Sequence, residues 1–299
     1  MARAKTIDSM PVAGGDYTVA RWAGGQDTLL AIHGITASHL AWPPVVDALA
    51  GDYTVYAPDL RGRGLSNTLP PPFGLQQHVA DLVALLDHYA VADTVLVGHS
   101  LGAYIALEFA QAHPARVRGI VLVDGGIALP LRDGATPEQV IKGVLGPALA
   151  RLEMRFADRE AYRDFWRKHP AFQDAGAWNT EVEAYVDYDL TGTPPDMRSR
   201  VNSDAVQTDA RGPLAASMAT LMDRTAAPML LLTATRGLMN QAQPLLPLSA
   251  VADKCAKIAH LEHLEIPDTN HYSIVTGSGR TRVAQEIDRF VAGLPPRRR

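Results

Sequence analysis

The sequence has a single cysteine, Cys255, so no disulfide can close within the chain, and a reducing compartment is its simplest setting. Cys255 itself reads as a quiet position on a late helix. No run of about 18 apolar residues occurs anywhere, which leaves no candidate transmembrane helix. The start, MARAKTIDSMPVAGGDY, carries basic residues without the apolar stretch of a signal peptide. A soluble, cytoplasmic protein with no membrane partner is expected. Neither sign of charge dominates, since 28 Lys and Arg face 32 Asp and Glu for a formal net charge of −4. Nucleic acid is therefore not an expected partner, and the terminal PPRRR reads as a solvated tail. P-loop, dinucleotide fingerprint and metal-ligand cluster are all missing, so no cofactor and no metal are expected. There is no internal repeat and no low-complexity tract.

What is present is a 299-residue chain that is 47% hydrophobic, enough to bury a large core. KTIDSMPVA, YTVARWA and TLLAIHG, separated by turn-forming Gly-rich pieces, read as three opening strands. Ser38 then offers a cap for a helix bearing Leu40, Val45, Val46 and Leu49, with Pro43 and Pro44 tolerated in its first turn. YTVYAPD is the next strand. Leu75, Val79, Leu82, Val83, Leu86 and Tyr89 recur at intervals of three and four, the mark of an amphipathic helix. The strand TVLV, a helix, and the strand VRGIVLVDGG follow. This alternation predicts an α/β fold, a mostly parallel, doubly wound sheet with an antiparallel N-terminal edge.

The alternation stops at residue 127 and resumes at 228 with PMLLLTAT, a helical segment near 248–259, the strand HLEHLEIPD and a last helix with Val283, Ile287, Phe290 and Val291. Between them no strand pattern is evident. Helical patterns follow Thr136 and Pro137, then run near 158–168, 180–189 and 209–224, punctuated by Gly146, Pro147, Pro170, Pro194, Pro195 and Pro213. A hundred residues are too many for an unstructured loop in a compact domain. The expected organisation is a core of 1–126 and 228–299 with a helical cap, or lid, of 127–227.

The chemistry centres on VLVGHSLGAYIAL, residues 95–107. Gly98, Ser100 and Gly102 spell G-x-S-x-G between a β-branched run and a helix-period pattern, the strand–turn–helix context that a serine nucleophile needs. A serine hydroxyl is weakly nucleophilic until a base takes its proton. The chain has ten histidines. His33 and His99 lie in turns their rings can hold, and His260 and His263 point to opposite strand faces, which argues against a metal pair.

Together with G-H-S-L-G, the pieces A-I-H-G-I, P-D-L-R-G-R-G-L-S and D-T-N-H-Y resemble the α/β-hydrolase family over nearly the whole chain. The resemblance implies an α/β-hydrolase fold and a triad in the order serine, acid, histidine. It assigns Ser100 as nucleophile and His271, after the last strand, as base. The commonest acid position, after MLLLTAT, holds RGLMNQAQP with no carboxylate. The other position used in the family ends the strand after the nucleophile helix, where Asp124 stands before two glycines. Asp268, a cap carboxylate or no acid at all are the alternatives. The family's oxyanion hole maps onto the backbone N–H groups of Ile35 and Leu101, each such donor being worth about 3–4 kcal/mol in the transition state. Thr36 adds a hydroxyl to the pocket or serves only its turn. Asp59, Arg61, Arg63 and Ser66 read as scaffold contacts.

Met154, Phe156, Phe165, Trp166, Trp178, Tyr185, Tyr188, Met218 and Met222 are candidates for an apolar substrate pocket, or for cap core. The resulting expectation is a metal-free serine hydrolase acting on a carboxylic ester or lactone of a bulky, mainly apolar small molecule through an acyl-enzyme. A carbon–carbon bond hydrolase, a perhydrolase or haloperoxidase-like enzyme, and a ligand receptor on a hydrolase scaffold are the alternatives. Epoxide hydrolases and dehalogenases place Asp where this chain has Ser100. The surface leaves room for a homo-oligomer.

Overall fold

The computed structural model of the chain describes residues 3–128 and 134–296. The core elements run β1 (Lys5–Val12), β2 (Gly15–Trp22), β3 (Asp27–Ile32), α1 (Pro43–Val46), β4 (Tyr53–Pro58), α2 (Leu75–His88), β5 (Thr94–His99), α3 (Leu101–Ala112) and β6 (Val117–Val123). The insert contributes α4 (Pro137–Glu153), α5 (Arg159–Arg167), α6 (Thr180–Asp189), β7 (Leu190–Thr193), β8 (Asp196–Ser199), α7 (Ser203–Asp209) and α8 (Met218–Arg224). The core resumes with β9 (Met229–Ala234), α9 (Leu248–Lys257), β10 (Leu261–Ile266), α10 (Ser273–Thr276) and α11 (Arg280–Gly293).

Eight strands form one sheet in the order β1-β2-β4-β3-β5-β6-β9-β10. β2 is antiparallel to both β1 and β4, and every other pairing is parallel. The central strands are buried on both faces, which is why β5 and β9 read as unbroken apolar runs without alternation. Their side chains still alternate in destination. Leu96 packs with α2, α3, α8 and α9 on one face, while Val95 and Val97 pack with α1, α10 and α11 on the other. No helix among the described residues is long and apolar enough to cross a membrane.

The insert departs from expectation in three places. Residues 190–193 and 196–199 form an antiparallel hairpin around Pro194 and Pro195, where no strand was expected. Strands of four residues are too short to show a period of two. Of the helix expected over 209–224 only Met218–Arg224 is α-helical, as α8; α7 ends at Asp209, and a short turn at Gly212–Leu214 lies between. Gly146 and Pro147, expected to end a helix, lie inside α4. Met218 and Met222 of α8 join the cluster around α3 and cover the sheet.

Buried polar contacts fasten the insert to the core. Arg63, with no exposed side-chain surface, donates to Asp209 of α7 at 2.5 Å, and His78 Nε2 meets the same oxygen at 2.8 Å. Tyr188 of α6 donates to Asp59 at 2.6 Å. Asp59 also takes the backbone and ring N–H groups of His39, both at 2.9 Å. Arg61 makes a two-pronged pair with Asp81 at 2.9 and 2.7 Å.

Burial pushes the Asp209 carboxyl up, but the Arg63 charge and His78 outweigh it and hold its pKa at about 2, below the ordinary 3.8. A carboxylate depressed in the folded state stabilises it above the unfolded pKa and loses that contribution as pH falls through the folded one. Removing the carboxylate also leaves Arg63 charged and buried. Asp209→Ala is expected to cost about 3–5 kcal/mol at neutral pH in denaturant titrations. The stability gap between wild type and Asp209→Asn is expected to be flat above pH 3.8 and to close between pH 3.8 and about 2. Asp87→Ala, which breaks an exposed pair with Arg116, is expected to cost less than about 1 kcal/mol.

Candidate active site

The turn from β5 into α3 puts Ser100 at φ 56° and ψ −119°, a conformation few non-glycine residues adopt. Its neighbours make the turn sterically feasible. A Cβ on Gly98 would lie 2.3 Å from the Gly102 carbonyl oxygen, and one on Gly102 would lie 2.0 Å from that of Ile32. The serine is thereby raised at the carboxyl edge of the sheet and followed at once by the amino end of α3.

Asp124 ends β6 in a second strained turn, at φ 47°. Its backbone N–H donates to Leu232 at 2.7 Å, and its Oδ1 accepts from the Ala234 N–H at 3.1 Å, so β9 holds both the residue and its carboxylate. Tyr104 donates to the Ile127 carbonyl at 2.7 Å and ties the following turn to α3. Oδ2 faces His271 Nδ1 at 2.6 Å, and His271 Nε2 faces Ser100 Oγ at 2.9 Å. A carboxylate only accepts, so Nδ1 carries the proton and Nε2 is left to accept from the serine hydroxyl. The alternative acid, Asp268, has no such contact. Its carbonyl instead receives Arg236 and Ser278.

The loop bearing His271 is held by two residues that sequence reasoning did not single out for this purpose. Asn270 accepts the N–H groups of Tyr272 and Ser273, both at 2.9 Å, and donates to Ala171 at 2.9 Å and Asn240 at 3.1 Å. His99 Nε2 donates to the His271 carbonyl at 2.9 Å, and the two rings lie 4.7 Å apart. Burial, reinforced by the neighbouring His271, pulls the His99 pKa well below its ordinary value, so His99 is a neutral donor. The sequence placed His99 in a turn its ring can hold, but the motif gives no sign that the His271 carbonyl is its partner. His33 is likewise neutral, lowered to about 3 mainly by burial. Its Nδ1–H meets the Gly34 carbonyl at 2.8 Å and its Nε2 accepts from Leu60 N–H at 2.9 Å. It holds the loop it belongs to.

Ile35 and Leu101 both border the space in front of Ser100. Leu101 is the first residue of α3, where the amide has no acceptor within its helix. The Ile35 carbonyl accepts from Arg63 Nε at 2.9 Å, which anchors the next peptide unit, Ile35–Thr36.

Ser100, Asp124 and His271 open on a cavity of about 1010 Å³ including its mouth. Thr36 and Tyr185 line it. Met154, Phe165, Trp166, Trp178, Tyr188, Met218 and Met222 do not. Phe165, Trp166 and Trp178, with Phe156, pack in the aromatic cluster inside the insert. Tyr188 is committed to Asp59, Met154 is largely at the surface, and the methionines of α8 lie against α3. The wall is aliphatic instead, built from Val140, Ile141, Val144 and Leu145 of α4 with Leu214 and Leu238. Aromatics at helical spacing carry no signal of which helix face turns inward, whereas the aliphatic stripe of α4 was legible as a helix but not as a wall.

The sequence profile of the alpha/beta hydrolase family matches residues 29–286. The chain is similar to a lipase, LipV, of Mycobacterium tuberculosis, at 34% identity over 145 residues, 46% of this chain and 54% of the lipase. It is also similar to epoxide hydrolase B of the same organism, at 32% over 148 residues, 45% of this chain and 38% of the relative. It thus spans less than two thirds of either relative. Among solved structures, an E-2-(acetamidomethylene)succinate hydrolase superposes with a TM-score of 0.78 at 21% identity, over 97% of this chain and all of the other, a likeness of fold. On the family match and the eight-stranded sheet, the chain belongs to the alpha/beta hydrolase family.

Proposed function

We propose that this hydrolase cleaves a carboxylic ester or lactone of a bulky, mainly apolar small molecule through an acyl-enzyme, with residues 127–227 acting as its cap. The observation that carries this reading is the chain of hydrogen bonds from Asp124 through His271 to Ser100 on the floor of an apolar cavity. In the first half-reaction Ser100 Oγ attacks the scissile carbonyl carbon while Nε2 of His271 takes the hydroxyl proton. The carbonyl oxygen becomes an oxyanion that the Ile35 and Leu101 N–H groups stabilise. The tetrahedral centre collapses, the carbon–oxygen bond to the alcohol breaks, and Nε2 returns its proton to the departing alkoxide. In the second half, water attacks the acyl carbon, gives a proton to Nε2, and that proton goes back to Ser100 as the acid leaves. Asp124 keeps its charge throughout and stabilises the imidazolium formed in each half.

The aliphatic wall supports a bulky, apolar partner, because burying such a group against Val140, Ile141, Val144 and Leu145 removes water from both surfaces. The single cysteine supports a cytoplasmic setting. A nucleophilic serine at the elbow, where epoxide hydrolases use an aspartate, supports the ester over the epoxide.

Ser100→Ala is expected to abolish turnover of a p-nitrophenyl ester, a loss of at least about 10³-fold, with an unchanged circular dichroism spectrum. Retained turnover in the folded variant would overturn the assignment. Asp124→Asn is expected to lower kcat by about 10³–10⁴-fold, since the amide no longer fixes the proton on Nδ1. Asp268→Asn is expected to change kcat by less than about threefold, its carboxylate having no contact with His271. A larger loss with Asp268→Asn than with Asp124→Asn would reverse the choice of acid.

A further inference from the structure

Among the polar groups bordering the aliphatic cavity, two phenols are not used by the proposed chemistry. Tyr185 of α6 and Tyr272, which follows His271, both line it. Tyr185 is 7% exposed. The phenol oxygens of both lack a hydrogen-bond partner among the described residues, yet neither is sealed off within the protein as the unpartnered Trp166 Nε1 is. Both rings border the cavity, and Tyr185 also borders a smaller pocket beside Trp166 and Asp189. The Tyr272 ring lies 6.0 Å from the His271 ring. The two phenols are close enough to influence each other, and the guanidinium of Arg151 acts on both. Burial raises both phenols above their ordinary pKa. Both are hydroxyl donors at neutral pH.

Arg151 is already ion-paired, although its buried Nη2 has no hydrogen-bond partner among the described residues. Its Nη1 donates to Asp189 at 2.5 Å and to the Tyr162 hydroxyl at 2.6 Å, and its guanidinium lies 5.0 Å from the Trp166 ring. The described residues lining the cavity include no lysine or arginine. An ionised group on the ligand would lose its hydration there without gaining a counter-charge. A hydrocarbon chain would displace water from the phenols without replacing its hydrogen bonds. An uncharged oxygen acceptor meets both requirements.

We propose that Tyr185 and Tyr272 form a hydrogen-bond-donating end of the cavity that binds a second, uncharged carbonyl oxygen of the substrate, close to the bond being cleaved. The preferred substrates are then oxo-substituted esters or lactones and not plain alkyl esters. The choice of scissile bond rests on the ester reading above, whereas the donor pair stands on the cavity itself.

The test compares p-nitrophenyl 5-oxohexanoate with p-nitrophenyl hexanoate, which share chain length and leaving group. The wild-type kcat/KM is expected to favour the oxo ester by about tenfold or more. In Tyr185→Phe and in Tyr272→Phe, each verified as folded by its melting curve, the ratio between the two esters is expected to fall toward one. A loss that struck both esters equally would mark a merely structural role and overturn the proposal. A wild-type ratio near one would do the same, as would a ratio that survives in both Phe variants. Preference for the mono-p-nitrophenyl ester of adipic acid would show that the site takes an anion, and would also overturn it. Equilibrium binding keeps the two readings separable. In Ser100→Ala, ethyl 5-oxohexanoate is expected to bind about tenfold tighter than ethyl hexanoate, followed by tryptophan fluorescence, Trp166 being 6.2 Å from the Tyr272 ring. If no ester is turned over, the ester reading fails alone, and this binding ratio still decides the donor pair.

Discussion

A carboxylate with no exposure to water must be given its donors by the protein, and Asp124 receives two of them from opposite sides. One is the Ala234 N–H at the end of β9. The other is His271 Nδ1–H, on the loop after β10. The register of β6 against β9 and the path of the chain after β10 must both be correct before this charge is satisfied. An unsatisfied buried carboxylate is among the costliest local errors a fold can contain. The same two bonds that make Asp124 tolerable in the interior therefore define where His271 sits and which of its nitrogens faces Ser100.

This coupling explains why so much of the region is rigid without being apolar. Asn270 and His99 hold the His271 loop by its backbone, and Tyr104 holds the turn after Asp124. His99 and Tyr104 also border the cavity, and each of these contacts restricts the imidazole from the backbone side. Farther out, Arg63 links Ile35 to Asp209, so the loop beside Ser100 and the insert share one buried ionic anchor. The burial of that anchor, with both side chains at 0% exposure, makes it strong against loss of one partner. It does not make it a large net source of stability.

Sequence patterns revealed this organisation unevenly, for physical reasons. The strands and helices of the core were legible because their apolar periods differ, and the elbow because only glycine tolerates the approaches at 98 and 102. The placement of Asp124 beside His271 was legible through an absence, the lack of any carboxylate after β9, together with a family resemblance. The fold then brings Asp124, and not Asp268, against His271, a placement that spacing alone left open. The pocket walls were not legible. A stripe of aromatics over α5 and α6 marks a buried face but not whether protein or ligand covers it, and here Phe165 and Trp166 face their own neighbours. Gly146 and Pro147 look like a break in any helix, so the continuation of α4 to Glu153 was hidden, while its stripe before Gly146 was legible as a helix but not as a wall.

That helix is unlike its surroundings in energy as well as in sequence. Within α4, Gly143 and Gly146 each cost about 1 kcal/mol against alanine, and an interior proline costs about 3 kcal/mol. Among its described residues only Arg151 and Leu152 are buried, both in the last turn. The helix is therefore secured at its C-terminal end, by Arg151 against Asp189 and Tyr162, and by the Thr136 capping box at its start. Between those ends, the residues that face Ser100 across the cavity gain little from either propensity or burial. The floor of the site is over-determined by hydrogen bonds, whereas the wall opposite is held chiefly at its ends. A site so divided fixes the reacting groups tightly while leaving local stability lowest where the bulk of a ligand must be accommodated.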